Sequence, residues 1–318
     1  MLKEILPGLY KLEIPLPNIP LKAVNCYIIK GRERNLIIDP GMDRVECISV
    51  MKRGLSELGV DLENTDFFIT HMHSDHAGLI PIISTDKSLV YCSLPDADRL
   101  RAKWKITVDY TIMNGFPEVE LQQMLKLPGF KPRNEYNVKF VPLKEGNKIR
   151  AGDYLFRCIE TPGHTMGHMC LYDSGKKVLV AGDHIMKDIT PNIALWSNVG
   201  NPVKDYIDSL DKIFNLDVNL VLPGHRRVFK SHKNRINEIK LHHDFRSEEI
   251  LSVVGQGVYS GYEIASKISW NMTNEWRAVP VSQKWFATGE TIAHLKFLQE
   301  EGYIKGELID KKILFSLK

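Results

Sequence analysis

Between Thr70 and Gly78 the chain reads THMHSDHAG, which packs His71, His73, Asp75 and His76 into six residues. Imidazole and carboxylate together are ligands for zinc, iron or manganese at neutral pH. On a tight loop His71 and His73 can project to the same side. Asp75 and His76 follow where a helix would begin, so the first pair can serve one metal and the second pair another. Three more segments end in the same way. They are TPGH at His164, AGDH at Asp183 and His184, and PGH at His225. Each follows a strand-like run and sits beside a glycine, which predicts loops gathered at one end of a sheet. Two ions ~3.5–4 Å apart would lower the pKa of a shared water toward ~7 from ~15.7 and polarise the oxygen under attack. The chemistry expected is hydrolysis by a metal-bridging hydroxide. Asp75 is the expected catalytic residue, orienting that hydroxide and shuttling a proton.

The remaining polar residues suit quieter roles. His168 lies four residues past His164 and is expected to support the loop by hydrogen bonding. His184 adjoins a ligand candidate and is expected to support it, to line the pocket or to be plainly structural. Asp39 is expected as a buried acceptor beneath the His-rich loop. His232, His242, His243 and His294 are expected to be structural or solvated. Arg226 and Arg227 are surface charges or contacts for an anionic substrate.

Elements must carry these residues to one place. Val24 to Lys30, Asn35 to Asp39 and Asp66 to Thr70 are short, apolar and rich in strand-favouring types. Cys47 to Leu58 has helical spacing, with Gly59 as its stop. Further strands are expected over Val138 to Pro142, Tyr154 to Glu160, Met169 to Tyr172, Val178 to Ala181 and Leu220 to Leu222, with a helix over Pro202 to Leu216. This alternation predicts an α/β core. Residues 95–137, with Trp104, Tyr110, Met113, Phe116 and Met124, read as an insertion of two helices separated near Gly115 and Pro117, forming a surface pack or a lid. Lys230 to His243 reads as a connecting helix. Helices are then expected over Ser247 to Val254, Ser260 to Ile268 and Thr288 to Glu301, with Thr288 or Thr291 as the last cap and Gly302 as its stop. Two strands follow, Tyr303 to Lys305 and Lys312 to Leu317.

The combination HxHxDH, TPGHTxGH, GD and PGH, with Asp39-Pro40-Gly41 before it, resembles the metallo-beta-lactamase superfamily over about residues 1–235. The resemblance implies a four-layer αβ/βα sandwich with a two-metal site at one edge of its sheets. It implies one ion on His71, His73 and His164, a second on Asp75, His76 and His225, and Asp183 bridging them. Zinc is the first expectation for both, with iron or manganese as alternatives. Residues 245–318, with ETIAHLKFL followed by EGYI, resemble the winged-helix domain of the beta-lactamase-like-protein-2 group, so residues 236–318 are expected to hold a connecting helix and that domain. Some members of that group cleave RNA.

Composition narrows the class. The chain has 318 residues, is 43% hydrophobic and 25% charged, and carries a net charge of +3, which suits two globular domains and marks no polyanion-binding tail. Its five cysteines contain no CxxC pair, and an odd count argues against a disulfide framework. The first residues lack the apolar run of a secretory leader, and no 18-residue apolar run suggests a membrane span. The expectation is a cytoplasmic enzyme without a membrane partner, with a homodimer as an option. The leading substrate class is a small ester, thioester or lactone. The alternatives are a phosphodiester in single-stranded RNA and an iron-dependent redox reaction. Residues 246–318 hold nine Lys or Arg against nine Asp or Glu, a balance that does not suit gripping phosphates. Pocket walls are expected from residues 95–137, 186–200 and 270–287, including Asp188, Asn192 and Trp196. In that last segment Trp270, Trp276, Trp285 and Phe286 would close over the metals or form a dimer contact.

Overall fold

In the computed structural model, residues 1–17, 19–102, 108–127, 136, 138–270 and 275–318 are described. Trp104 and part of the expected 95–137 insertion lie outside them, as do residues 271–274 of the expected pocket wall.

The chain forms two compact units. The first comprises Met1–Trp104, Asn134–Pro191 and Ser209–Ile236. It opens with β1 (Leu2–Leu6), β2 (Leu9–Pro15), β3 (Ala23–Ile29) and β4 (Asn35–Ile38), all antiparallel neighbours. Helix α1 (Val45–Leu58) follows and ends where Gly59 adopts φ +61°, a conformation glycine takes without a Cβ penalty. Next come β5 (Thr65–Phe68), the single turns α2 (Ser74–Ala77) and α3 (Ile80–Ile83), β6 (Val90–Ser93) and α4 (Leu94–Arg101). Strands β4, β5 and β6 pair in parallel, so their C-terminal ends share one edge.

Two further helices, α5 (Asp109–Met113) and α6 (Glu118–Met124), precede β7 (Phe140–Leu143), which closes a seven-stranded sheet in sequence order. The second sheet holds β8 (Lys148–Ala151), β9 (Tyr154–Glu160), β10 (Met169–Asp173), β11 (Val178–Gly182) and, after α7 (Pro202–Phe214), β12 (Leu220–Pro223). Its last pair, β11 and β12, is again parallel.

Strands β10 and β11 are buried along their whole length and β3 along all but its first residue, which explains their mainly apolar sequences, interrupted only by Asn25 and Asp173. One face of the first sheet packs on the second through Leu9, Tyr27, Ile38 and Phe68 against Phe156, Met169, Val180 and Leu222. Its other face is covered by α1, α3 and α4, through Met51, Leu55, Ile80, Ile83, Ala97 and Leu100. Ser209 and Lys212 of α7 bond Pro162 and Glu160 at the end of β9. Within the expected two-helix insertion over residues 95–137, α5 and α6 lie on either side of Gly115 and Pro117, and the departure from the expectation is the stretch up to Arg101. Leu94–Arg101 belongs to the core layer, because Ala97 and Leu100 face the apolar cluster.

The second unit comprises Lys105–Arg133, Asn192–Asp208 and Asn237–Lys318. Helix α8 (His232–Val254) runs without the break expected near Asp244. After it come β13 (Tyr259–Ser260), α9 (Gly261–Ala265), α10 (Val281–Glu300), β14 (Ile304–Ile309) and β15 (Lys312–Leu317), with the strands in the order β13-β15-β14. The capping expectation at Ser260 is met by a reciprocal pair with Glu263. The third helix starts seven residues before Thr288. The Thr288 and Thr291 hydroxyls therefore bond carbonyls four residues back instead of capping. Phe116, Leu121 and Met124 form a cluster with Trp285, so α6 packs into this unit.

Among the described residues no helix is long and apolar enough to cross a membrane. All five cysteines are buried and unbridged. Phe68 has no exposed surface between the two sheets. Phe68→Ala should cost about 3–5 kcal/mol, measured by urea unfolding of the metal-free protein. A loss well below 1 kcal/mol would contradict its place in the core.

Candidate metal centre

The parallel strands deliver the chemistry. Asp39 follows β4, His71 to His76 follow β5, Asp183 follows β11 and His225 follows β12, while His164 lies in the β9–β10 connection. Backbone bonds lock this edge: Met169 N–H donates to Thr70 O at 2.9 Å, Asn25 N–H to Gly224 O at 2.7 Å and Gly224 N–H to Gly182 O at 2.7 Å.

His73 Nδ1 lies 3.0 Å from both His71 Nε2 and His164 Nε2. His225 Nε2 lies 3.3 Å from both His76 Nε2 and Asp75 Oδ2. Asp183 stands between the groups. Its Oδ1 is 3.5 Å from His76 Nε2, and its Oδ2 is 3.7 Å from His164 Nε2 and 3.5 Å from His225 Nε2. Three overlapping triads have ligand atoms close enough to share an ion: His71, His73 and His164; His71, His76 and Asp183; Asp75, His76 and His225.

The outward nitrogens show which tautomer each ring takes. Ala23 O, which can only accept, lies 2.7 Å from His225 Nδ1, so that nitrogen carries the proton. Asp39 Oδ2 lies 2.8 Å from His76 Nδ1 and also accepts the Thr70 hydroxyl at 2.7 Å. The Thr70 oxygen in turn lies 3.0 Å from His71 Nδ1 and can accept from it. Once His76 and His225 have lost their second proton, Nε2 in all three rings presents its lone pair inward. Asp183 Oδ1 is buried with no hydrogen-bond partner. Inward lone pairs and a carboxylate oxygen lacking a partner are a donor set that fits divalent cations.

Burial holds His71 well below its ordinary pKa and brings His73 down to about 3, which keeps both rings neutral. Burial also opposes charge on His225, yet Asp183 and Asp75 outweigh it and push that ring up to about 10. His76 rises for the same reason, through Asp183, Asp39 and Asp75. Asp75 and Asp183 are lowered despite burial by His76 and His225.

His168 is not placed as a ligand. Its Nε2 accepts the Asp183 N–H at 3.2 Å, and its Nδ1 meets the Thr161 hydroxyl at 2.8 Å. His184 is fully buried, with its ring 5.9 Å from that of His168, and burial brings it down to about 3. Glycine is required at two points. A Cβ on Gly224 would stand 2.4 Å from Asp183 Oδ1, and one on Gly182 would stand 2.7 Å from His168 Nε2.

The other expected pocket residues have these partners. Arg227 pairs with Asp188 at 2.9 Å, and Arg226 donates to Pro20 O. Asn192 donates to Glu290 at 2.9 Å. Trp196 stacks on Trp285 with ring centroids 4.3 Å apart, and Trp285 is buried. Trp270 lies beneath the Arg246 guanidinium, 4.0 Å from it, and donates to Ala265 O. Trp276 meets Tyr262 edge-on. Phe286 keeps an exposed ring. His243 and His294 are buried and stacked on each other, His232 is buried, and His242 is partly exposed.

The sequence reading missed Asp96. Its Oδ2 accepts the Met72 N–H at 2.8 Å and the Thr165 hydroxyl at 3.0 Å. Burial pushes its carboxyl up to about 6, against the pull of those donors and of the Gly167 amide. The remaining signal was slight, a serine three residues before an aspartate at the end of a strand.

Comparison with known proteins agrees with this geometry. Residues 19–225 match the model of the metallo-beta-lactamase superfamily. The beta-lactamase-like protein 2 homolog of Caenorhabditis elegans is 26% identical over 74% of this chain and 66% of its own length. An acyl-coenzyme A thioesterase of Gallus gallus is 26% identical over 64% of this chain and 73% of its own. A probable polyketide biosynthesis zinc-dependent hydrolase of Bacillus velezensis is 27% identical over 65% and 72%. The crystal structure of a metallo-beta-lactamase family protein from Thermus thermophilus superposes with a TM-score of 0.83 at 25% identity, covering 99% of this chain and all of that one.

Protons on His76 and His225 must leave before a cation can enter. Loading the metal-free protein with zinc near neutral pH should therefore release protons, and affinity should rise with pH as His225 approaches its value of about 10. Calorimetry in buffers of different ionisation enthalpy measures this release. Binding with no proton release would contradict the charge state described.

Proposed function

The chain belongs to the metallo-beta-lactamase superfamily, and from that membership and the site geometry we propose a hydrolase with two divalent metal ions, zinc first, acting on the thioester of a small acyl group. One observation carries the reading: six of the site's side chains form two sets, and Asp183 lies within 3.7 Å of both. His71, His73 and His164 would hold one ion, Asp75, His76 and His225 the other, and Asp183 would reach each. Bound there, the ions would supply Lewis acidity to the carbonyl under attack and acidify the attacking water.

The chain's own residues do the rest. Asp39 and Thr70 keep His71 and His76 with Nε2 inward, and Ala23 O does the same for His225. The Asp75 side chain is 16% exposed against 7% for Asp183 and 2% for Asp39, so it is the most open carboxylate of the site. On this reading its carboxylate would orient the attacking water, take up its proton and return it to the leaving group. A thiolate needs little help to leave, because a free thiol ionises near ~8.5. The name of the thioesterase relative supports a thioester over a phosphodiester. Residues 236–318 are read as an appended winged-helix domain, which α9, α10 and the sheet β13-β15-β14 support. Their even balance of charge favours a packing role over a grip on RNA.

The test is metal analysis of the purified protein with parallel panels of acyl thioesters, lactones and single-stranded RNA. Two equivalents of metal and thioester turnover are expected. Asp75→Ala should lower kcat by roughly 100-fold or more, the scale of general acid–base catalysis. Full turnover in that variant with its metals bound, or RNA cleavage without thioester cleavage, would overturn the reading.

A further inference from the structure

Two buried carboxylates lie beneath the candidate ligands, and only Asp39 touches a ligand ring. Asp96 does something different. It is 1% exposed and sits in the first turn of α4, where the Ser93 hydroxyl accepts its N–H at 3.4 Å. Met72 lies between His71 and His73, and Thr165 follows His164. Both donate to the same oxygen of Asp96, Oδ2. The Gly167 amide adds a third bond, and the fit there is close: a Cβ on Gly167 would stand 2.5 Å from Asp96 Oδ1 and 2.2 Å from Ser93 Oγ. Two loops remote in sequence thus meet on one carboxylate, which is itself anchored at the β6–α4 junction.

We propose that Asp96 is a positioning residue for the three-histidine set: by pinning the His71–His73 loop to the His164 loop it fixes the spacing of the three ring nitrogens and so sets the affinity of that set for its metal. This rests on the two-metal reading above. A ligand set gains affinity when its geometry is settled before the ion arrives, because ordering free loops would otherwise be subtracted from the binding free energy. Asp96 reaches only the first set. The Asp75, His76 and His225 set is oriented by Asp39 and Ala23 O, and no described bond of Asp96 touches those residues. Its loss should therefore weaken one metal equivalent and spare the other.

The experiment is stepwise chelator competition on the zinc-loaded full-length protein, comparing wild type, Asp96→Asn and Thr165→Val. Asp96→Asn keeps the shape but sets an amide NH₂ against one of the N–H donors. Roughly 10–100-fold weakening of one equivalent is expected, the scale seen when a group that orients ligands is lost. Thr165→Val removes one donor and keeps the Met72 bond, so it should weaken the same equivalent by a smaller factor. Thermal unfolding of the metal-free variants separates this role from bulk destabilisation. Wild-type affinity at both equivalents in both variants would overturn the proposal, as would an equal fall at both equivalents accompanied by a lower Tm without metal. If the wild type itself bound fewer than two ions, the two-metal reading would fail, a result distinct from an unchanged variant.

Discussion

An ionised carboxylate enclosed by protein is costly unless its oxygens find donors, and Asp39 is enclosed almost completely. It sits at φ +52°, a left-handed conformation that aspartate tolerates better than most residues, at the turn out of β4. There it meets the Thr70 amide at 2.8 Å, the Thr70 hydroxyl and His76 Nδ1. Bonds to a charged group contribute about 1.5–3 kcal/mol each. Three of them offset a burial cost of several kcal/mol. The consequence reaches beyond stability. With Asp39 in place, the protons of His71 and His76 are held on Nδ1, and both rings turn Nε2 toward the same space.

The sheets explain why such an arrangement is possible at this edge. Parallel pairing of β4, β5 and β6 brings three C-terminal ends together, and the parallel pair β11 and β12 brings two more from the second sheet. The loops leaving these strands can approach only if nothing fills the space between them. Gly182 and Gly224 meet that condition, since a methyl at either point would overlap Thr70, His168, His76 or Asp183. Asp96 closes the remaining side from β6.

The C-terminal unit has a polar interior of its own. His243 and His294 stack with ring centroids 5.2 Å apart, and Ser247 meets His294 Nδ1 at 3.1 Å. Burial brings His243 down to about 4, so the stacked pair carries no charge to repel. Arg246 donates to Glu249 and to Ser269 O, and its guanidinium lies over Trp270. Gly289 in α10 admits the Trp196 ring, where a Cβ would stand 2.3 Å from it. The helix continues through that glycine because the indole fills the space a side chain would occupy.

By itself the sequence was enough to mark residue types at ligand spacing, the apolar runs of the buried strands and the Gly59 and Ser260 boundaries, because each is a local property of a few neighbouring residues. The start of α10 was not legible, since the apolar face of Val281 to Ala287 gains meaning only from the cluster it joins. Strands β1, β2, β6, β8 and β13 were missed; for all but the seven-residue β2 the reason is related, since a strand of two to five residues is recognised by its partners more than by its composition. Asp96 is the clearest case. Asp98, two residues on, looks the same in sequence, yet one is buried under two loops and the other is exposed. Hydrogen bonds to Met72 and Thr165 span 24 and 69 residues, and no local pattern encodes them. Which atoms could hold metal was therefore written in the motif. Which nitrogen each ring turns inward, and which carboxylate holds the loops together, was decided only when the chain brought distant donors to one buried edge.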